Sequence, residues 1–135
     1  MNKVLKFGII GVFLLLFSCN KNEKVNTLKI GEATEINLDK TVENSKFNLL
    51  LRVENINDSR CPIGGICVWE GNASVEFQLT TKKGKYEFTL DTHNPPIFKN
   101  DTTIESIKYQ LIDVLPYPNL NEEQPVKTVK ILVGN

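Results

Sequence analysis

Alternation of apolar and polar residues predicts strands along most of this chain. In residues 73–80 and 85–90 every second residue is apolar, and the polar segment 81–84, which ends in glycine, lies between the two runs. A two-residue period is typical of a strand with one buried face, and a short glycine-containing connection favours a hairpin. We therefore predict a β-hairpin over residues 73–90.

Other apolar segments extend this pattern. Residues 47–56 alternate, and Leu50 on the second face predicts burial on both sides near the centre of that strand. Residues 107–115 alternate until Ile112, where a break predicts a bulge or a change of partner. Further strands are expected at 27–30, 34–38 and 126–133, an irregular edge segment at 97–98, and one helical turn within 102–109.

No segment after residue 20 shows the 3.6-residue period of an amphipathic helix. The number and spacing of the short runs are typical of a sandwich or a small barrel. We predict one all-β domain over residues 27–135, built as an antiparallel β-sandwich or a partly open barrel of about seven to eight strands.

The N-terminus has a different pattern. Lys3 and Lys6 precede the apolar run 7–17, which as a helix would cover about 16 Å, too little for a bilayer core of roughly 30 Å. Residues 1–18 are therefore predicted to be a signal peptide. The segment 16–19, Leu-Phe-Ser-Cys, resembles the lipobox of bacterial lipoproteins, which implies cleavage before Cys19 and acylation of that cysteine.

Acylation would define the location of the protein. Two or more acyl chains give stable membrane attachment, and residues 19–26 would form the lipidated cysteine and a polar tether. In that family the absence of aspartate after the cysteine favours the outer over the inner membrane. Loss of Lys3 and Lys6 with the signal leaves 14 of the 16 basic side chains against 16 acidic ones, so no nucleic-acid partner is expected.

Cys61 and Cys67 are the two cysteines that remain if Cys19 carries lipid. An exported chain is in a compartment where disulfides persist, and Pro62 with Gly64 and Gly65 favours the tight turn that would join them. We predict a Cys61–Cys67 disulfide. A metal site would need about four ligands, and a redox pair would prefer Cys-x-x-Cys, so both are weaker interpretations.

The segment around this pair could be structural or could bind a partner. Trp69 is expected to pack on the disulfide or on the end of the core, and Asp58 and Arg60 to form an exposed ion pair. Gly71 is expected to need a backbone angle that favours glycine. Alternatively, Arg60, Ile63 and Trp69 form a recognition tip, because loops on a rigid scaffold often bind partners.

At these positions the chain resembles a group of small bacterial lipoproteins and secreted proteins without an assigned activity. The shared features are Asp-Ser-Arg-Cys-Pro at 58–62, then Cys67, Trp69 and Gly71, and a second signature at 111–118. The resemblance implies a β-rich domain of the cell envelope.

The sequence contains no recognisable catalytic set. His93 is expected in an exposed loop, no Gly-x-Ser-x-Gly nucleophile motif occurs, and Glu54, Glu76 and Glu87 lie at polar strand positions. We expect a non-enzymatic envelope lipoprotein without metal or cofactor, an interaction module whose contacts are the membrane and an envelope protein. The alternatives are a ligand-binding or inhibitor module that uses the 61–67 loop, and a hydrolase with two acids converging in a pocket.

Overall fold

A computed structural model describes residues 26–93 and 99–134, and within them the predicted all-β class is confirmed. The signal peptide, Cys19 and the expected edge segment 97–98 lie outside the described residues. The described strands are β1 (Asn26–Thr27), β2 (Ala33–Asn37), β3 (Thr41–Asn44), β4 (Leu49–Asp58), β5 (Ala73–Thr80), β6 (Lys85–Asp91), β7 (Asp101–Ile104), β8 (Ile107–Leu115) and β9 (Thr128–Gly134).

The strands form two sheets. One has the order β1-β3-β4-β5-β6 and the other β2-β9-β8-β7, and every pair is antiparallel except β1 with β3. Apolar side chains from both sheets form one buried cluster between them. The arrangement is therefore a β-sandwich, the first of the two predicted architectures. The described part of the chain contains no helix long and apolar enough to cross a membrane.

Two sequence predictions are confirmed in detail. The hairpin is formed by β5 and β6, with Thr80 opposite Lys85. The period break at Ile112 is a bulge, because the register between β8 and β9 shifts between Leu111 and Asp113. Ile112, the extra residue in the bulge, is 45% exposed, and Val114 two positions later is buried in the core. The bulge thus keeps apolar side chains before it and after it, Leu111 and Val114, on the core face of the sheet.

Other local predictions were wrong. Leu50 is exposed, so β4 is buried on one face only. The expected helical turn within 102–109 is instead the hairpin of β7 and β8, whose turn residues Glu105 and Ser106 both have positive φ. Helix propensity could not compete here with pairing of both strands into the second sheet. Strand β3 was missed, and β9 begins at Thr128 instead of 126.

The sandwich has two distinct ends, which we name by their connections. At the loop end, β4 finishes at Asp58 and β5 begins at Ala73. At the turn end lie the β5–β6 turn at 81–84 and the β7–β8 turn at 105–106. Glu105 holds the turn end together by accepting hydrogen bonds of 2.8 Å from Thr81 and Tyr86. The predicted recognition residues belong to the loop end.

Candidate functional site: an apolar tip braced by a disulfide

The loop between β4 and β5 rises from the sandwich as an extension of its first sheet. The amide of Ser59 donates to the carbonyl of Asn72 at 2.8 Å, and the amide of Cys61 donates to that of Glu70 at 2.7 Å. Gly71 has φ +73°, and a Cβ at this position would overlap the Ser59 carbonyl group. The predicted need for glycine at position 71 is confirmed, because both the backbone angle and the close strand approach require it.

The predicted disulfide is present. Cys61 and Cys67 are bonded, with their Cα atoms 5.9 Å apart. A closed loop of this length stabilises the fold by about 2 kcal/mol in the loop-entropy model. The bond also restricts the segment between the cysteines, which includes Ile63 and Ile66, to a narrow set of conformations.

Arg60 lies beneath this loop, and the prediction that its ion pair with Asp58 is exposed was wrong. The side chains of Arg60 and Asp58 are only 5% and 8% exposed. Arg60 Nε and Nη2 donate to the two carboxylate oxygens of Asp58 at 2.8 Å, Nη1 donates to Asp113 at 3.2 Å, and Nη2 also donates to the Val114 carbonyl at 2.7 Å. The Arg60 guanidinium group lies 4.5 Å from the centre of the Tyr117 ring.

Lys127 completes the network from a third segment. Its Nζ donates to Asp58 Oδ2 and to the Pro116 carbonyl, both at 2.8 Å. Burial opposes the ionisation of Asp58, but the hydrogen bonds and charges of Arg60 and Lys127 outweigh it and hold the Asp58 pKa below its ordinary value. Burial opposes the charge of Arg60 as well, but Asp58 and Asp113 raise its pKa. The charged network therefore joins the loop base to β8 and to the segment after it.

Six exposed apolar side chains occur in the loop that follows Arg60 and in the segment after β8. The 61–67 loop pairs with the segment after β8, because the Ile63 amide donates to the Pro118 carbonyl at 2.9 Å and the Leu120 amide donates to the Ile63 carbonyl at 3.1 Å. The loop and this segment carry six exposed apolar residues at the loop end, which we call the apolar tip, namely Ile63, Ile66, Val68, Trp69, Tyr117 and Leu120.

The structure separates the three residues that were expected to act together. Ile63 and Trp69 belong to the apolar tip, and Trp69 is 78% exposed, so the expectation that it packs against the core was wrong. Arg60 is buried at the base of the loop. Sequence reasoning missed the contributions of Ile66, Val68 and Leu120. A usable signal was the absence of any charged residue from both 61–69 and 114–121.

Two depressions bear on the alternative functions. One, of about 510 Å³, lies beside the loop base and is bordered by Trp69 and His93. His93, expected to be exposed, is partly buried there, with its Nε2 3.2 Å from a carboxylate oxygen of Glu70. The other, of about 430 Å³, lies on the outer face of the first sheet and is bordered by Glu54, Glu76 and Glu87.

These acidic residues have the character of surface charges. Glu76 and Glu87 are exposed, and Glu54 is paired with Arg52 at 2.9 Å. Within residues 26–93 and 99–134, no group of three or more His, Cys, Asp or Glu residues is placed to hold a metal ion. Comparisons of the chain with protein-family models, with curated proteins and with solved structures found no match.

Proposed function

We propose that this protein is a non-catalytic, lipid-anchored protein of the cell envelope that binds its partner through the apolar tip. The observation that carries the proposal is the exposure of six apolar side chains in two segments, the loop after Arg60 and the segment after β8, that are hydrogen-bonded to each other at one end of the sandwich. Exposed apolar residues scattered singly over a surface are ordinary, whereas their concentration at one end of a domain favours an interaction site.

The brace supports a binding role because it reduces the cost of ordering the loop. The Cys61–Cys67 bond closes the loop, and the buried network of Arg60, Asp58 and Lys127 joins its base to β8 and to the residue that precedes β9. A surface that is already ordered loses less conformational entropy on binding than a free loop would. The same features leave the apolar side chains exposed instead of letting them collapse onto the core.

A ligand-binding module is the second candidate. The depression beside Trp69 and His93 supplies a concave surface with an aromatic wall and polar groups next to the tip. A hydrolase is less well supported, because Glu54, Glu76 and Glu87 lie on an open sheet face where water hydrates their carboxylate groups.

The lipid anchor is tested by Cys19→Ala. We expect the variant to keep its signal peptide or to leave the membrane fraction, and to lack the mass of the acyl chains. Membrane fractionation with intact-mass measurement distinguishes these results. Unchanged mass and membrane association would contradict lipidation at Cys19.

The binding surface is tested by site-specific photocrosslinking in intact cells. A benzophenone side chain at position 66 in the apolar tip is compared with one at position 83 in the turn end, where Lys83 is also exposed. We expect a discrete adduct, with protein or with lipid, from position 66 only. Equal labelling from both positions, or none from position 66, would overturn the proposed binding role of the tip.

A further inference from the structure

We propose that the partner of the apolar tip is the interfacial region of the same membrane that anchors Cys19. This inference rests on the proposed lipid anchor and binding role, and names the occupant of the binding surface. Three independent observations carry it: the direction of β1, the short distance in sequence between Cys19 and β1, and the uncharged composition of the tip.

The direction of β1 points the start of the described chain toward the loop end. β1 pairs in parallel with β3, and β3 is antiparallel to β4, which runs toward the loop end. The chain direction from Thr27 back to Asn26 therefore also points toward the loop end. At the point where the described chain begins, it is directed toward the end of the sandwich that carries the tip.

The reach of the intervening chain agrees with this direction. Seven residue steps separate Cys19 from Asn26, so their Cα atoms can be at most about 25 Å apart. Asn26 lies level with Val42 and Leu51 across the sheet, and the seven steps from Leu51 to Asp58 cover about 23 Å of strand. The maximum reach from Asn26 to Cys19 is therefore about equal to the distance from Asn26 to the level of the loop base.

The tip lies beyond that level. The pairing of Cys61 with Glu70 continues the ladder past Asp58, and the rest of the 61–67 loop and Trp69 follow it. With the loop end facing the membrane, an anchor at Cys19 cannot hold the domain far enough away to keep the tip clear of the lipid. In this orientation, the short chain between Cys19 and Asn26 requires the tip to contact the membrane surface.

The composition of the tip suits the membrane interface. No charged residue occurs in 61–69 or in 114–121, and the exposed side chains are aliphatic apart from Trp69 and Tyr117. Tryptophan and tyrosine are favoured at the interface, where an apolar ring meets the polar headgroups. Glu70 is largely exposed next to Trp69, and neither 61–69 nor 114–121 contains a lysine or arginine, which favours zwitterionic over anionic headgroups.

The backbone limits the depth of this contact. An irregular loop has amides that require hydrogen-bond partners, and the hydrocarbon core provides none. The amides of Cys61, Ile63 and Gly65 are paired within the protein, but residues 61–69 belong to no strand whose ladder would pair the rest of their backbone. The tip therefore rests among the headgroups and the first methylenes, with the sandwich outside the membrane.

Trp69 is the single tryptophan of the chain and reports on the tip directly. The mature acylated protein is reconstituted into phosphatidylcholine vesicles with or without lipids brominated near the top of the acyl chains. We expect the brominated lipids to remove at least half of the Trp69 emission. The matched control is Trp69→Phe combined with Lys83→Trp, which moves the indole to the turn end and should lose less than a tenth of its emission.

A second variant tests the role of the neighbouring side chains. Ile66→Ser with Val68→Ser alters only exposed positions, so its circular dichroism should match that of the wild type, and its Trp69 quenching should fall at least twofold. Quenching that is equal at positions 69 and 83, or absent at position 69, would overturn the membrane contact. Absence of quenching with a protein adduct at position 66 would overturn this inference alone. Absence of both signals would also overturn the proposed binding role.

Discussion

Arg60 and Asp58, two residues apart in the chain, form a bidentate ion pair beneath the exposed tip, with both donor–acceptor distances 2.8 Å. The pair is almost completely buried, yet the loop directly above it carries no charge. Burying two charges costs desolvation energy, which good geometry and additional hydrogen bonds must offset. Here Arg60 also donates to Asp113 and to the Val114 carbonyl, and Asp58 accepts a further bond from Lys127.

The first prediction concerns the energy of this pair. Arg60→Met should lower the free energy of unfolding by about 3–5 kcal/mol, because it leaves Asp58 buried with one cationic partner fewer. Combined with Asp58→Asn, the loss should be smaller than the sum of the two single losses. Chemical denaturation, monitored by circular dichroism, measures the unfolding free energies of the wild type, the two single variants and the double variant. Arg52→Met is the matched control: Arg52 pairs with Asp39 and Glu54 at the surface, so the loss should stay below about 1 kcal/mol. Similar losses from both arginines would contradict the structural role of Arg60.

The second prediction is a pH dependence. The folded-state pKa of Asp58 lies below its ordinary value of 3.8, so the carboxylate contributes stability that is fully present well above pH 4 and is lost as the pH falls through the folded-state pKa. The stability difference between the wild type and Asp58→Asn should therefore be constant from pH 7 to 5 and should shrink below pH 4. Denaturation curves at several pH values test this result, with the exposed Asp39→Asn as control. A stability difference that grows on acidification would contradict a lowered Asp58 pKa in the folded protein.

The third prediction compares two glycines with similar backbone angles. Gly71 and Gly31 have φ values of +73° and +83°, but an added Cβ would meet the Ser59 carbonyl group at Gly71 and nothing within 4 Å at Gly31. Gly31→Ala should cost about 1 kcal/mol from backbone strain alone. Gly71→Ala should cost at least twice as much, because the backbone at Ser59 and the backbone at position 71 must also move apart. Thermal unfolding of both variants measures the difference, and equal losses would rule out a close approach at Gly71.

The fourth prediction concerns Tyr109, which is fully buried. Its hydroxyl group has no hydrogen-bond partner within the described residues, and burial, with a smaller effect of Glu105, raises its pKa to about 12. Tyr109→Phe should therefore leave stability unchanged or raise it by about 1 kcal/mol, since it removes an unsatisfied polar group.

Two measurements check Tyr109. The latest step of the tyrosine absorbance titration at 295 nm should disappear in Tyr109→Phe. Tyr86→Phe is the control and should lower stability, because Tyr86 donates a hydrogen bond to Glu105 at 2.8 Å. A clear loss of stability in Tyr109→Phe would indicate that its hydroxyl group has a partner in the folded protein.

Local patterns were sufficient to predict much of this fold. The alternation in residues 73–90 predicted β5 and β6, since a two-residue period with one apolar face is stable only as a half-buried strand. The break at Ile112 predicted the bulge, and the cysteines with their proline and glycines predicted the disulfide. Strands β3 and β7 were missed because four-residue segments with few apolar side chains carry too little periodic signal.

Tertiary structure decided which residues in and around the loop are buried and which are exposed. The sequence alone determined a β-rich domain, a disulfide and a loop without charges, because alternation, spacing and composition are local properties. It could not determine that Arg60 is buried and Trp69 exposed. Arg60 reaches Asp113 and Val114, more than fifty residues away, only once the two sheets have packed and the bulge has aligned β8. Burial of a charge depends on partners that are distant in sequence, and here they turn a short-range pair into the support of an exposed apolar tip.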